Sequence, residues 1–414
     1  MSHLSIDDIV EFVEENDVKF IRLAFCDLYG EQKNISIMPQ ELKSAFENGI
    51  NFDSFLIKGF HEANGQDLFL RPDPDTLHVL PWRPQSGRVI RFYCNVVHAD
   101  GTPFPLDYRQ FLKDTLLECQ QMGFTTRMGL RSEFYLFKTD ENGEPTNETF
   151  DKGGYLDVAP ADKAENIRRE ICLTLEEMGI NPESSHHERG PGQNEIDFCS
   201  ADVLTTADNL VTYKNVVENI AARNGAYACF DPKPLDNAPG NGLHILMANF
   251  RGQENLFETD KEFSESFMAG IINRMRDITL FLNCRSDSYN RFGLSEAPKY
   301  ITWSTMNNSR LFRAPEINGK RQHFILRSPD SCCNPYMASA IIIQAGLAGL
   351  RGKEKLPPEL NVNPRCLGEN DTDLEKLPCT ISEAIECALN SDFINNSSFA
   401  PIALNYIETI KQSI

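Results

Sequence analysis

The sequence predicts an α+β protein built as a small N-terminal domain followed by a large one. Three observations carry that prediction. Runs rich in β-branched and aromatic residues are interspersed with amphipathic helical stretches, with no internal repeat. The chain has 414 residues, more than one ordinary core accommodates. A Pro/Gly stretch, GTPFPLDYR (101–109), punctuates the pattern and divides the chain into residues 1–100 and 101–414.

The elements follow in order. Residues 5–16 read as a short helix, and VKFIRLAFCDLYGEQKNISI (18–37) as a hairpin turning at Tyr29-Gly30. FLRPDPDTLHVLPWRPQSGRVIRFYCNV (69–96) is strand-rich with Pro and Gly breaks. A long helix is expected over about 108–122, then a strand at GLRSEFYLF and a polar hairpin at KTDENGEPTNE. KAENIRREICLTLEEMG (163–179) is a helix with a glycine stop. HHERGPGQNEIDF (186–198) reads as strand, turn, strand, and DNLVTYKNVVENIAARNG (208–225) as a helix. YMASAIIIQAGLAGL (336–350) is apolar on all sides and predicts a buried helix.

Composition narrows the function. Hydrophobic residues make up 41% and charged residues 24%, a soluble globular balance. A net charge of −20 argues against nucleic acid and anionic membrane as partners. The N-terminus lacks a basic region followed by an apolar one, so no signal peptide is expected. No apolar run reaches membrane-spanning length. Twelve scattered cysteines without a CxxC pair read as reduced thiols, and a cytoplasmic location is expected.

One stretch demands an explanation. HHERGPGQNE (186–195) sets Glu188 and Glu195 close together around a Gly-Pro-Gly turn. Like carboxylates are costly to bury unless a cation sits between them. Either both face water or they share a cation.

These residues resemble the metal-binding segment of glutamine synthetases, HHE-x-x-PGQ-x-E. FDSFLIKGF (52–60), DLFLRPDPDTLHVLPW (67–82), SEFYLF (132–137), GLHI (242–245), SYNRF…SEAP (288–298), WSTMNNSRLFRAP (303–315) and LRSPDSCCNPY (326–336) follow in that family's order and cover nearly the whole chain. The resemblance implies an N-terminal β-grasp domain and a catalytic domain with a curved antiparallel sheet. It also implies a homo-oligomeric double ring of ten or twelve subunits, with active sites between neighbours. The family's reaction joins glutamate to ammonia through an ATP-derived acyl phosphate, assisted by two divalent cations.

Carried over residue by residue, Glu133, Glu188 and Glu195 match the three glutamates that hold one metal, and hard oxygen donors suit Mg²⁺ or Mn²⁺. Arg291 and Arg327 match the arginines that hold substrate carboxylates, and their planar forks suit that task. Gly240 matches the backbone beside the substrate's amino group. Glu296 matches the flap glutamate that helps to deprotonate ammonium, on a segment one residue shorter than usual. Asp53 and Asp67 match a neighbouring subunit's contribution to the ammonium pocket. Arg313 matches a phosphate-gripping arginine and His244 a ligand of the second metal.

The pattern then breaks on one side only. The two glutamates that accompany His244 at the second metal are Arg131 and Ile325 here, and neither binds a cation. Asn308 and His323 stand where phosphate-gripping arginines are usual. Leu246, Ala248 and Pro239 replace polar residues near the nucleotide. Arg131 is expected to place its guanidinium where the second cation would sit, held by Glu188 or a neighbouring carboxylate. Phe55 and Leu56 replace small residues and suggest a more apolar pocket. The family's adenylylated tyrosine has no counterpart in LGENDTDLEKLP (367–378).

The reading is a protein that binds a glutamate-like amino acid or its amide with one Mg²⁺ or Mn²⁺. Its activity at a C–N bond is altered, and ATP-dependent glutamine synthesis is weakened or lost. Two alternatives stand beside it. One is an ATP-dependent glutamine or γ-glutamylamide ligase, and the other a non-catalytic sensor or scaffold. Phosphoryl transfer depends on stabilising charged oxygens. Each lost charged contact costs about 10²–10³ in rate by analogy with single-donor losses.

Overall fold

A computed structural model describes residues 5–60, 67–306, 310–361 and 373–414. Its first element is helix α1 (Ile6–Glu15), opened by a reciprocal capping box. Asp8 N–H donates to the Ser5 hydroxyl, and Ser5 N–H donates to the Asp8 carboxylate. Such a cap stabilises by about 1 kcal/mol. Strands β1 (Val18–Cys26) and β2 (Gln32–Ile37) form the expected hairpin. Helix α2 (Leu42–Asn48) follows, then β3 (Ile50–Phe52), β4 (Leu68–Pro72), β5 (His78–Val79) and β6 (Arg88–Val97). The sheet order is β2-β1-β6-β4-β3, with β5 also on β6; β1 and β6 run parallel and the other pairs antiparallel. This is a β-grasp arrangement.

Helix α3 (Tyr108–Gln121) leads into β7 (Thr125–Thr139) and β8 (Pro145–Thr149). Helix α4 (Glu165–Glu177), β9 (Pro182–His187), β10 (Gln193–Asp202), α5 (Val203–Arg223) and β11 (Ala226–Cys229) come next. Helix α5 begins five residues before the expected start, because the Asp202 carboxylate accepts from Thr205 N–H and caps it there. The chain continues through β12 (Leu243–Arg251), β13 (Glu254–Asn255), α6 (Leu256–Thr259), α7 (Lys261–Ile272) and α8 (Met275–Leu282). Short strands β14 (Trp303–Ser304), β15 (Phe312–Arg313), β16 (Glu316–Ile317), β17 (Lys320–Arg321) and β18 (Phe324–Leu326) precede α9 (Pro335–Gly352). Helices α10 (Ile381–Leu389), α11 (Asp392–Asn395) and α12 (Ala400–Gln412) end the fold.

The second sheet curls around β7, in the order β14-β15-β18-β12-β7-β10-β9. All its pairs are antiparallel except β14 with β15. Helix α9 is the buried apolar helix the sequence predicts. Ile341, Ile342 and Ile343 are fully buried, each stabilising by about 1.5–3 kcal/mol. No helix among the described residues is long and apolar enough to cross a membrane. Every cysteine among them is a free thiol.

A polar hub joins the two sheets. Arg109, at the start of α3, is 4% exposed. Its guanidinium grips both oxygens of Asp208 on α5, at 3.0 and 2.8 Å, and reaches Asp73 of the N-terminal sheet at 2.9 Å. The Tyr336 hydroxyl donates to Asp208 Oδ1 at 2.6 Å and ties in α9. Removing one partner of a buried pair strands the others without compensation. Arg109→Met should therefore destabilise the chain by about 3–5 kcal/mol, read by chemical denaturation. Arg109→Met/Asp208→Asn should recover part of that loss; a double variant no better than the single one would contradict the pairing.

Candidate active site

The site is written in the register of the curled sheet. Side chains at i and i+2 share a face, so Arg131 and Glu133 on β7 point the same way. On β10, Glu195 lies directly opposite Glu133, and Asp197 opposite Arg131. On β9, His186 is opposite Glu195. On β12, His244 is opposite Arg131 and Leu246 opposite Gly129. Ile325 on β18 faces Leu246, and Arg313 on β15 faces Ile325. The concave face thus carries acid at the β9–β10–β7 end and base towards β18 and β15.

Arg131, Glu133, His186, Glu195, Asp197, His244 and Arg313 line a cavity of about 320 Å³, together with Glu188, Arg189, Gly240, Arg291, Glu296 and Arg327. A larger cavity of about 920 Å³ lies between the β1–β2 hairpin and α5. Both metal-binding clusters among the described residues lie in the smaller one. Donor chemistry, not size, identifies the site.

The carboxylates are held from behind. Glu133 Oε2 accepts from Gly242 N–H at 2.8 Å and from the Gln193 amide at 3.1 Å. Glu188 accepts from Arg189 N–H at 3.0 Å and lies 3.1 Å from His186 Nε2. Strand alternation sends His187 to the opposite face, where it is fully buried against Asp151 at 2.8 Å. Asp151 also accepts from Gly192 N–H, which pins the turn between β9 and β10. That turn needs glycine: a Cβ on Gly190 would lie 1.9 Å from the Tyr135 hydroxyl.

Like charge dominates the electrostatics. Burial, then the Glu188 carboxylate, pushes the Glu133 carboxyl up to about 7. Burial, then Glu133, Asp197 and Glu188, pushes Glu195 up further. Burial, then the charges of Arg327, Arg131 and Arg291, holds His244 well below the usual imidazole range. The carboxyls favour a cation between them, and the neutral imidazole is free to donate a lone pair. The donors group as two triads that share Glu195. One is Glu133, Glu195 and His244, and the other His186, Glu188 and Glu195, each with ligand atoms within 4.8 Å of one another. This donor set fits a divalent cation.

The expected amino-acid residues converge here. The Arg291 guanidinium is 3% exposed and donates to the carbonyls of Ser328 and Pro329, with Asp330 at 3.4 Å. Gly240 packs against it: a Cβ there would lie 2.4 Å from the Pro232 carbonyl oxygen and 2.6 Å from Arg291 Cγ. Arg327 donates to Glu296 at 3.2 Å, and Arg189 donates to the other oxygen of Glu296 at 2.9 Å. Arg313 lines the cavity with no ion-pair partner among the described residues.

Several expectations need correction or completion. Arg131 does turn into the cavity, and of the two expected kinds of partner it has the neighbouring carboxylate, Asp197, 3.7 Å away, and not Glu188. The cross-strand register sets this: Asp197 sits opposite Arg131, whereas Glu188 lies beyond the end of β9. Within the protomer, Asp53 and Asp67 are exposed and outside the cavity, and Asp53 caps its own turn by accepting from Phe55 N–H. Phe55 and Leu56 are 64% and 77% exposed and do not line the cavity. The apolar pocket expected from them is not formed by one chain. Asn308 lies outside the described residues, as does part of 367–378.

The sequence reading missed Asp197, His186, Gln193 and Arg189. Alternation from Glu195 signalled Asp197 and His186, the latter through the pairing of β9 with β10. Nothing local signalled Arg189, whose partner is 107 residues away.

Comparison with known proteins agrees with this geometry. Residues 17–99 match the family model described as "Glutamine synthetase, beta-Grasp domain", and residues 105–413 the one described as "Glutamine synthetase, catalytic domain". A protein of Clostridium saccharobutylicum named "Glutamine synthetase" is 40% identical, covering 98% of this chain and 94% of its own length. One of Methanosarcina mazei with the same name is 41% identical, covering 97% and 92%. The solved structure titled "GmaS/ADP complex-Conformation 1" superposes with a TM-score of 0.89 at 25% identity, covering 98% of this chain and 95% of that one. The cryo-EM glutamine synthetase of Plasmodium falciparum gives 0.87 at 22% identity, a likeness of fold, covering 100% and 96%.

A carboxyl whose pKa is raised on folding contributes stability below its unfolded value and loses it as pH climbs to the folded one. For Glu133 that window runs from 4.5 to about 7. A bound cation relieves the cost. Saturating Mn²⁺ should therefore raise Tm more at pH 8 than at pH 5.5, by calorimetry at fixed ionic strength. An equal or smaller rise at pH 8 would contradict the charge assignment.

Proposed function

The chain belongs to the glutamine synthetase family, and on that premise we propose that it acts at the side-chain carboxylate or amide of a glutamate-like amino acid, with one divalent cation and with ATP-driven ligation weakened. Glu133, Glu188 and Glu195 would hold the Mg²⁺ or Mn²⁺. When bound, such an ion polarises a carbonyl and steadies the oxyanion formed from it. The observation that carries the reading is Arg131: it stands between Asp197 and His244 in the strand register, one row from the Glu133–Glu195 pair, and its guanidinium lies 3.7 Å from Asp197 at the cavity wall. Beside it, Ile325 is buried and has no donor atom. Positive charge is thus supplied by the chain, in a place suited to an anionic group of the ligand.

The chain's own residues then have distinct tasks. Arg291, locked by carbonyls, offers a rigid fork to the α-carboxylate. Gly240 leaves room for the amino group. Arg327 donates to Glu296, so a ligand carboxylate would compete with Glu296 for it. Displaced, Glu296 stays tethered through Arg189 at the rim, placed to move a proton to or from nitrogen. In ATP-free cleavage, Glu296 takes a proton from water as its oxygen bonds to the amide carbon, the C–N bond breaks, and Glu296 gives that proton to the departing amine nitrogen.

A second reading has its own support. Relatives 40–41% identical over nearly their full length are named glutamine synthetase, and Arg313, His244 and Trp303-Ser304 remain in place. On that reading the chain is an ATP-dependent ligase of glutamate with ammonia or an amine. We also propose a cytoplasmic homo-oligomeric ring of ten or twelve, in which a neighbour's Asp53 and Asp67 complete the pocket. Exposed Phe55 and Leu56 beside Asp53 support a covered surface there.

Mg²⁺-ATP is titrated calorimetrically into metal-loaded protein with and without glutamate, beside assays of ADP and of amine release from glutamine and γ-glutamyl amides. The expected result is no nucleotide binding up to millimolar concentration and amine release without ATP. Micromolar binding with glutamate-dependent ADP release would establish the ligase instead, and amino-acid binding with no turnover a sensor or scaffold. As a gain-of-function check, Arg131→Glu/Ile325→Glu should raise bound Mn²⁺ from one to two per chain. It should also raise ADP release by on the order of 10²-fold, the inverse of a single-donor loss.

A further inference from the structure

We propose that His186 is a direct nitrogen ligand of the divalent cation at Glu188 and Glu195, and that it biases the site towards Mn²⁺ or another transition-metal ion over Mg²⁺. The inference rests on the reading of the pocket as a metal centre and adds the donor that sets its ion preference.

Three observations support it. The first is register. The pairing of β9 with β10 sets His186 directly opposite Glu195, on the cavity face, while alternation turns the neighbouring His187 into the protein to meet Asp151. Of the two adjacent histidines, only the first is available to the site.

The second is distance. His186 Nε2 lies 3.1 Å from Glu188 Oε1 and 3.9 Å from Glu195 Oε1. Two donors bonded at about 2.1 Å to one ion are about 3.0 Å apart at a right angle and about 4.2 Å apart on opposite sides. Both observed separations fall within that span, and the ligand atoms of all three residues lie within 4.8 Å of one another.

The third is orientation. The Tyr155 ring meets the His186 ring edge-on, with centroids 5.7 Å apart. The ring contact packs one side of the imidazole while Nε2 faces the Glu188 and Glu195 carboxylates. The other triad has a histidine too, but His244 is on β12, on the far side of β7. The two imidazoles therefore approach Glu195 from opposite sides.

Chemistry supplies the selectivity. Mg²⁺ prefers oxygen donors and retains water, whereas imidazole nitrogen suits transition-metal ions. An all-carboxylate site would discriminate less. The competing role for His186 is to orient Glu188 through a hydrogen bond without touching the ion. That role would affect Mg²⁺ and Mn²⁺ alike and would leave no nitrogen on the metal.

The test is pulsed electron paramagnetic resonance on the full chain loaded with one equivalent of Mn²⁺. Electron spin-echo modulation should show a directly bound ¹⁴N in the wild type, replaced by ¹⁵N when the histidines are ¹⁵N-labelled. The signal should persist in His244→Gln and vanish in His186→Gln. His186→Gln should also raise the Kd for Mn²⁺ by about tenfold or more, and that for Mg²⁺ by less than about threefold. The labelled wild type tests histidine coordination even if a variant fails to fold. Bound Mn²⁺ without nitrogen modulation, or modulation that survives His186→Gln, would overturn the assignment and leave the metal centre standing. Failure of the wild type to bind Mn²⁺ at all would overturn both.

Discussion

Two carboxylates, Glu133 and Glu195, face each other across adjacent strands of a curled sheet. Side chains directly opposite in an antiparallel pair are about 5 Å apart, and like charges there are destabilising. Around this pair the chain gathers what makes the arrangement tolerable. The Gly242 N–H and the Gln193 amide orient Glu133. His186 and Glu188 bring further ligand atoms, and the Asp151–His187 pair holds the intervening turn. The strain of the pair is useful, because it is largest without a cation and is relieved by one.

The arginines are arranged by the same logic in reverse. Arg291 is fixed by carbonyls and Asp330 and Arg327 is paired with Glu296, while Arg131 lies 3.7 Å from Asp197. Burial, and then their positive charges, hold His244 well below the usual imidazole range. The imidazole and the Arg131 guanidinium stand opposite each other in the strand register, beside the carboxylate row. Glu296 bridges Arg189 and Arg327 at the cavity rim.

Precision at such a site depends on a rigid support. β7 runs through the centre of the sheet and carries Arg131 and Glu133 near its middle. Behind it, helices α5 and α9 bury their apolar faces. The Arg109–Asp208–Tyr336 hub locks those helices to α3 and to the N-terminal sheet through Asp73. The β-grasp domain is thereby tied to the same core that positions the carboxylates.

The sequence by itself determined the elements and the residue types of the site. The HHERGPGQNE turn, the buried helix at 336–350 and the glutamates at 133, 188 and 195 were legible because periodicity, turn chemistry and charge spacing are local. Motif order also identified Arg291, Arg327, Gly240, His244 and Glu296. Only the tertiary structure decided pairings. It matched Arg131 to Asp197 and not to Glu188, divided the metal donors into two triads sharing Glu195, and brought Arg189 to Glu296. It also left Asp53, Asp67, Phe55 and Leu56 outside the protomer's own cavity. The reason is that strand register and loop approach depend on the packing of residues far apart in the chain. A side chain's partner across a sheet is set by which strands pair and in what phase, and its own neighbours in sequence do not encode that.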